Sequence, residues 1–83
     1  TALREEKKRE KAAQEAARRQ RELVANLETR ITDLEGQMTE LEIEMSDPDT
    51  YADNARAQAL SRKYDELQKK IAALYEEWEA AQS

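Results

Sequence analysis

Apolar residues recur along this chain at alternating spacings of three and four residues, in two separate runs. A mean period of about 3.5 residues is that of left-handed coiled coils, in which the a and d positions of each heptad form an apolar seam. The pattern therefore predicts an all-α fold in which two helices pack along their seams. The first run consists of Val24, Leu27, Ile31, Leu34, Met38, Leu41 and Met45, and the second of Leu60, Tyr64, Leu67, Ile71, Leu74, Trp78 and Ala81.

A single short segment, SDPDTYADN at residues 46–54, separates the two runs and contains the only proline of the chain. Pro48 cannot continue a helix, and it disfavours helical backbone at the residue before it. Two matched seams joined by a short break predict an antiparallel coiled-coil hairpin. We expect a helix over residues 23–45, a turn over 46–53 that contains Asp47, Pro48, Tyr51 and Asp53, and a helix over 54–81.

The pairing of the two seams is restricted because each layer has to be apolar on both sides. The register that places Leu27 beside Trp78 meets this condition in every layer. A shift by one heptad instead places Trp78 opposite Gln20, which buries an amide group at a cost in free energy. We therefore predict contact between Leu27 and Trp78.

The break itself predicts two further details. Asp53 or Asn54 can accept backbone N–H bonds as the N-cap of the second helix. Tyr51 has no seam position, and we expect it to fold back over the last apolar layer, near Met45 and Leu60. If Tyr51 is exposed instead, it is free to contact a partner.

Charge is distributed unevenly along the chain, whose overall net charge is −5. Residues 1–22, here called the stem, carry eight Lys or Arg and five Glu, a net charge of +3. Residues 23–83, here called the body, carry six bases and 14 acids, a net charge of −8. The seam fades in the stem, which we expect to be a single linker helix projecting about 33 Å from the body. The pairs Glu5–Arg9 and Glu15–Arg19 support it at i,i+4 spacing.

One face of the stem helix is basic, and alanines occupy the opposite face. The candidate nucleic-acid-binding residues are Arg4, Lys7, Lys8, Lys11, Arg18 and Arg19. Such side chains contact backbone phosphates, with strong salt dependence and little sequence selectivity. No aromatic residue interrupts the basic residues, so base stacking is not expected. The alternative is a solvated linker helix whose charges only maintain solubility.

No motif in the chain carries catalytic chemistry, and we expect no catalytic residue, metal site or bound cofactor. The chain contains no His and no Cys, which excludes disulfides and the usual zinc sites. Asp47, Asp49 and Asp53 have the spacing that opens a calcium loop, but Ala52 and Gln58 stand where that loop requires Gly and Glu. No apolar run approaches the ~18 residues of a membrane span, so no membrane contact is expected. The first residues resemble the interior of a helix, which indicates a fragment of a longer protein.

The break and the second helix together resemble a known domain. MSDPDTYADN followed by LSRKYDELQKKIAALYEEWEAAQ resembles the C-terminal domain of ABC-F ATPases, the Uup-like class of ATP-binding cassette proteins that lack a membrane domain. That domain has a heptad helix, a D-P-x-x-Y turn and a second helix that closes with L-Y-x-x-W-E. The matching residues are Asp47, Pro48 and Tyr51 in the turn, and Leu74, Tyr75, Trp78 and Glu79 in the second helix.

The resemblance implies an antiparallel coiled coil that assists nucleic-acid binding within a larger cytoplasmic ATPase. That parent would carry two cassettes that use ATP and Mg, and it would act on ribosomes in translation or on DNA. The implied partners are DNA or ribosomal RNA, bound weakly by the isolated domain, and the cassettes of the same chain. The acidic body departs from this pattern, so contact should use the stem or the few bases of the second helix, Arg56, Arg62, Lys63, Lys69 and Lys70.

Two other functions are compatible with the same residues. One is a structural coiled coil that docks on proteins or self-associates, as a monomer or a dimer, without binding nucleic acid. The other is a release-factor-like translation arm, because bacterial peptide-chain release factors begin with a related Asp-Pro turn. The segment around Trp78 favours the ATPase family over this last option.

Overall fold

The computed structural model describes all 83 residues and consists of helices joined by single residues. Helix α1 spans Ala2–Ser46, α2 spans Pro48–Ala52 and α3 spans Asn54–Gln82. Only Thr1, Asp47, Asp53 and Ser83 lie outside these helices. The predicted all-α class is confirmed.

α1 is one uninterrupted helix of 45 residues. It contains both the helical stem and the first hairpin helix expected over residues 23–45, and no change of backbone marks the boundary at residue 23. Ala, Glu, Lys, Arg and Gln dominate the stem, and their high helix propensity allows the helix to continue without a seam. The molecule is accordingly elongated, with principal extents of 76 × 15 × 15 Å.

α3 packs against the C-terminal part of α1 through an apolar cluster. The buried members of this cluster are Leu27, Ile31, Leu74 and Ala81, and Val24, Leu34 and Trp78 pack against them. Leu27 and Trp78, whose proximity the predicted register requires, therefore belong to the same cluster. Burying a side chain of this kind stabilises the fold by about 1.5–3 kcal/mol relative to leaving it exposed.

All fourteen residues predicted for the two seams are buried or half-buried. The buried ones are Leu27, Ile31, Leu41, Leu67, Leu74 and Ala81, and the half-buried ones are Val24, Leu34, Met38, Met45, Leu60, Tyr64, Ile71 and Trp78. Only three other residues are not exposed, namely Glu15, Thr50 and Ala57. The seams therefore account for nearly all of the interior.

The segment between α1 and α3 contains the short helix α2, and two aspartates cap the helices that follow them. Asp47 is extended, and its Oδ1 accepts a hydrogen bond from the N–H of Asp49 at 3.0 Å. Pro48 occupies the first turn of α2, where no backbone donor is required. Asp53 Oδ1 accepts a hydrogen bond from the N–H of Arg56 at 3.1 Å, which confirms Asp53 as the N-cap of α3.

The expectation that Tyr51 covers the last apolar layer is wrong, because its side chain is 64% exposed. Thr50 lies in the interior instead, at 2% exposure. Its hydroxyl donates a hydrogen bond to the carbonyl oxygen of Glu44 at 2.7 Å. The last carbonyls of α1 have no partner within the helix, and the short side chain of Thr50 supplies a donor to one of them.

Candidate nucleic-acid interface

The six candidate nucleic-acid-binding side chains all lie on the stem part of α1, and all are exposed. Residues three, four or seven apart share a helix face, and the structure places four of the six around one open cavity of about 440 Å³. The charged residues of its lining are Arg4, Lys7, Lys8 and Lys11. These four cations lie within roughly 10 Å along the helix axis.

The basic surface continues along the stem beyond this first cavity. A second open cavity, of about 430 Å³, is lined by Lys11, Gln14, Glu15, Arg18 and Arg21. Lys11 belongs to both cavities, so the two basic surfaces are continuous. Glu15 adds a negative charge to the second cavity, whereas the first has no acidic residue in its lining.

Ion pairs divide the stem cations into two groups. Arg18 lies 3.9 Å from Glu22 and Arg19 lies 4.0 Å from Glu15, and Arg9 lies 3.9 Å from Glu5. The predicted pairs Glu5–Arg9 and Glu15–Arg19 are thereby confirmed, and each exposed pair contributes only about 0.3–0.5 kcal/mol. The four cations of the first cavity take part in no ion pair, so their charges are free to meet an anion.

Unlike the stem, the body contains no ion pair, and none joins α1 to α3. All three ion pairs of the chain lie within residues 5–22. Glu44 and Lys63 line one cavity together with Leu41 and Leu67, but the two charges form no pair within 4.0 Å. With 14 acidic and six basic residues, the body therefore presents a surface of net negative charge.

A hydrogen bond that sequence reasoning does not predict joins the two helices. The hydroxyl of Tyr75 donates a hydrogen bond to Glu35 Oε2 at 3.0 Å. The ring of Tyr75 meets that of Trp78 edge to face, with centroids 6.2 Å apart. The hydrogen bond to Glu35 raises the pKa of Tyr75 above its usual 10.0, with desolvation and the Glu35 charge as smaller causes. The available signal is that Glu35 and Tyr75 each directly follow a seam residue, and so flank the seam.

The turn residues hold the helix ends together and leave one aromatic ring exposed. Asp47 and Asp53 serve as caps, and no group of three or more Asp and Glu side chains is placed to hold a metal ion. None of the helices has the length and apolar content needed to cross a membrane. Tyr51 is the exposed aromatic residue of this end of the molecule.

These features define an elongated all-α domain whose surface separates a basic stem from an acidic body. The chain belongs to the ABC transporter C-terminal domain family, whose model matches residues 14–82. The match confirms the resemblance found in the sequence. It includes Arg18 and Arg19, whereas Arg4, Lys7, Lys8 and Lys11 precede it. No curated protein and no solved structure matches the chain.

Family membership makes this chain an accessory domain of an ABC protein, and it implies an ABC ATPase as the parent.

Proposed function

We propose that this chain is the C-terminal domain of an ABC-F type ATPase and contributes to the binding of nucleic acid, either DNA or ribosomal RNA. The observation that carries the proposal is the set of four unpaired cations around one open cavity of the stem. Cations at this spacing neutralise neighbouring phosphates and release the counterions that surround them. The cassettes of the parent would supply ATP binding, and the parent would act on ribosomes or on DNA.

The proposal includes an antiparallel coiled-coil hairpin for the body, with the stem projecting from it. Its support is the order of the contacts between α1 and α3. Leu27 clusters with Ala81, Glu35 bonds Tyr75, and Leu41 shares a cavity with Leu67. Increasing numbers in α1 thus meet decreasing numbers in α3.

The negative charge of the body weakens nucleic-acid binding and restricts it to the stem. Its net charge of −8 repels phosphates, so the isolated chain should bind weakly and through its stem. When the cassettes hold the stem near nucleic acid, the raised effective concentration strengthens the same contact. The domain therefore adds affinity to a complex that the parent has already formed.

Salt dependence tests the proposal. Binding of fluorescently labelled duplex DNA and of a labelled ribosomal RNA fragment is measured by anisotropy at about 50 and about 200 mM salt. Four phosphate contacts predict a slope of about −3.6 in log affinity against log salt for duplex DNA, so affinity should fall roughly 150-fold over this range. Absence of binding to either nucleic acid at the lower salt would contradict the proposal.

A pair of matched variants locates the contact. The stem variant carries Arg4→Glu, Lys7→Glu, Lys8→Glu and Lys11→Glu, and the control carries Arg56→Glu, Arg62→Glu, Lys69→Glu and Lys70→Glu. Both change the net charge equally, and circular dichroism checks that both remain helical. The stem variant should lose binding, and the control should keep the salt slope. Equal losses in the two variants would contradict the assignment to the stem, because they would mean either that only total charge matters or that the bases of the second helix bind as well.

A second candidate function is a protein-interaction coiled coil that binds no nucleic acid. The 64% exposure of Tyr51 favours it, because exposed tyrosines are enriched at protein interfaces. Tyr51→Ala should then weaken association of the full-length parent with its protein partner, measured by co-sedimentation, while the anisotropy titration shows no nucleic-acid binding by the unchanged chain.

A further inference from the structure

A second surface of the molecule, on the body, has chemistry of a different kind. An open cavity of about 260 Å³ lies between α1 and α3, here called the aromatic groove. α1 contributes the carboxylates of Glu28 and Glu35 and, between them, the hydroxyl of Thr32. α3 contributes the rings of Tyr75 and Trp78, three residues apart. Its lining consists of Glu28, Ile31, Thr32, Glu35, Tyr75 and Trp78.

Both carboxylates of the aromatic groove lack a cation. Glu28 and Glu35 take part in no ion pair, and the hydrogen bond from Tyr75 reaches only Oε2 of Glu35. Seven residues separate the two carboxylates, which places them roughly 10 Å apart along α1. The ring of Tyr75 is 39% exposed beside them.

We propose that the aromatic groove binds arginine side chains from a basic segment of a partner protein. A cation is attracted both to carboxylates and to the faces of Tyr and Trp rings. The planar guanidinium group of arginine stacks on aromatic rings and forms paired hydrogen bonds with carboxylates, which the ammonium group of lysine does not do. Two carboxylates at this separation fit two basic side chains rather than one.

Charge decides in favour of a basic protein as the occupant. The body carries a net charge of −8, so nucleic acid is repelled from the groove and a cationic segment is attracted to it. The proposal goes beyond the nucleic-acid contact of the stem and does not depend on it. Since helix α1 contributes to both the basic stem and the groove, the same elongated molecule has one surface for phosphates and a second surface for a basic protein.

The single tryptophan of the chain lies in the groove and reports on it directly. The probe is hexa-arginine amide, titrated into the complete chain while the indole N–H signal of Trp78 is followed by NMR. We expect a saturable shift of this signal, and none with hexa-glutamate. Glu28→Gln combined with Glu35→Gln should weaken binding about tenfold, as expected when two exposed charge contacts are lost.

The matched control is Glu42→Gln combined with Glu66→Gln, which removes two exposed carboxylates of the body outside the groove. It should change affinity by less than about twofold, since the lost charges act only through solvent. Equal weakening in control and groove variants would overturn the proposal, as would the absence of a saturable shift.

Two further measurements separate this proposal from its alternatives. The stem variant with four charge reversals should still show the saturable Trp78 shift with hexa-arginine even where it loses nucleic-acid binding, so the two proposals fail independently. The Trp78 signal should not shift when the chain alone is concentrated. A concentration-dependent shift would identify the stem of a second copy as the occupant and overturn the assignment to a partner protein.

Discussion

Replacing Thr50 with valine tests how the C-terminal end of α1 is held. Thr50 is 2% exposed, and its hydroxyl donates a hydrogen bond to the carbonyl oxygen of Glu44 at 2.7 Å. Valine has nearly the same shape but no donor. The carbonyl oxygen keeps a second hydrogen bond, from the N–H of Asp47 at 3.2 Å, and is therefore not left without a partner.

The second bond at this carbonyl sets the magnitude of the effect. A buried polar group that loses its only partner costs about 1–3 kcal/mol, whereas one typical hydrogen bond contributes a net ~1 kcal/mol. Because Asp47 still bonds the Glu44 carbonyl, we expect Thr50→Val to lower the free energy of unfolding by about 1 kcal/mol. In a domain of this size, that change lowers Tm by about 4–8 °C.

Urea and thermal unfolding followed by far-UV circular dichroism measure the loss. Thr29→Val and Thr39→Val are matched controls, because their exposed hydroxyls donate to the carbonyls of Ala25 and Glu35, each at 3.1 Å. These carbonyls lie within α1 rather than at its end, so the controls should change stability by less than about 0.5 kcal/mol. If Thr50→Val is no more destabilising than the controls, the Thr50 hydroxyl does not secure the end of α1.

Three other predictions follow from the packing of α1 and α3. Trp78→Ala should lower the free energy of unfolding by about 3–5 kcal/mol, measured in urea. Trp78→Phe should lower it much less, because phenylalanine keeps an aromatic ring and lacks the indole N–H, which is buried without an acceptor. Equal losses in the two variants would contradict this expectation. Gly36→Ala should stabilise the chain by about 1 kcal/mol, since an added Cβ meets nothing within 4 Å, and a lower Tm would refute the expectation. Tyr75 should deprotonate above its usual pKa of 10.0, as followed by NMR, and Glu35→Gln should lower that pKa. Because the pKa is higher in the folded state, the stabilisation is complete below the unfolded pKa and is lost as pH rises through the folded value.

The burial of the seam residues follows from the sequence because it depends on periodicity. A residue such as Leu41 or Leu67 is buried wherever two heptad seams meet, and the spacing of seam residues is visible in the sequence. Helical backbone in the stem is also predictable, since it depends on local propensity. The boundary at residue 23 reflects a change in composition, and it leaves no mark on α1, because hydrogen bonding along a helix does not require a seam.

The features that sequence reasoning missed depend on polar groups rather than on apolar patterning. The prediction that Tyr51 covers the last apolar layer rests on its lack of a seam position, but Thr50 is the buried residue of the turn, and its short side chain donates to the Glu44 carbonyl. The bond between Tyr75 and Glu35 depends on the reach and direction of two long side chains beside the seam. Spacing places both residues at the edge of the seam without showing that they touch.

Because α1 is continuous, the basic face of the stem has a fixed orientation about the helix axis relative to the body. Each residue of a helix advances it by ~1.5 Å and turns it by about 100°. Inserting one residue near the boundary at residue 23 would therefore turn the basic face of the stem to a different side of the aromatic groove. Inserting seven would restore the angle to within roughly 20°. The direction in which the basic face of the stem points therefore depends on the number of residues in α1 as well as on their identity.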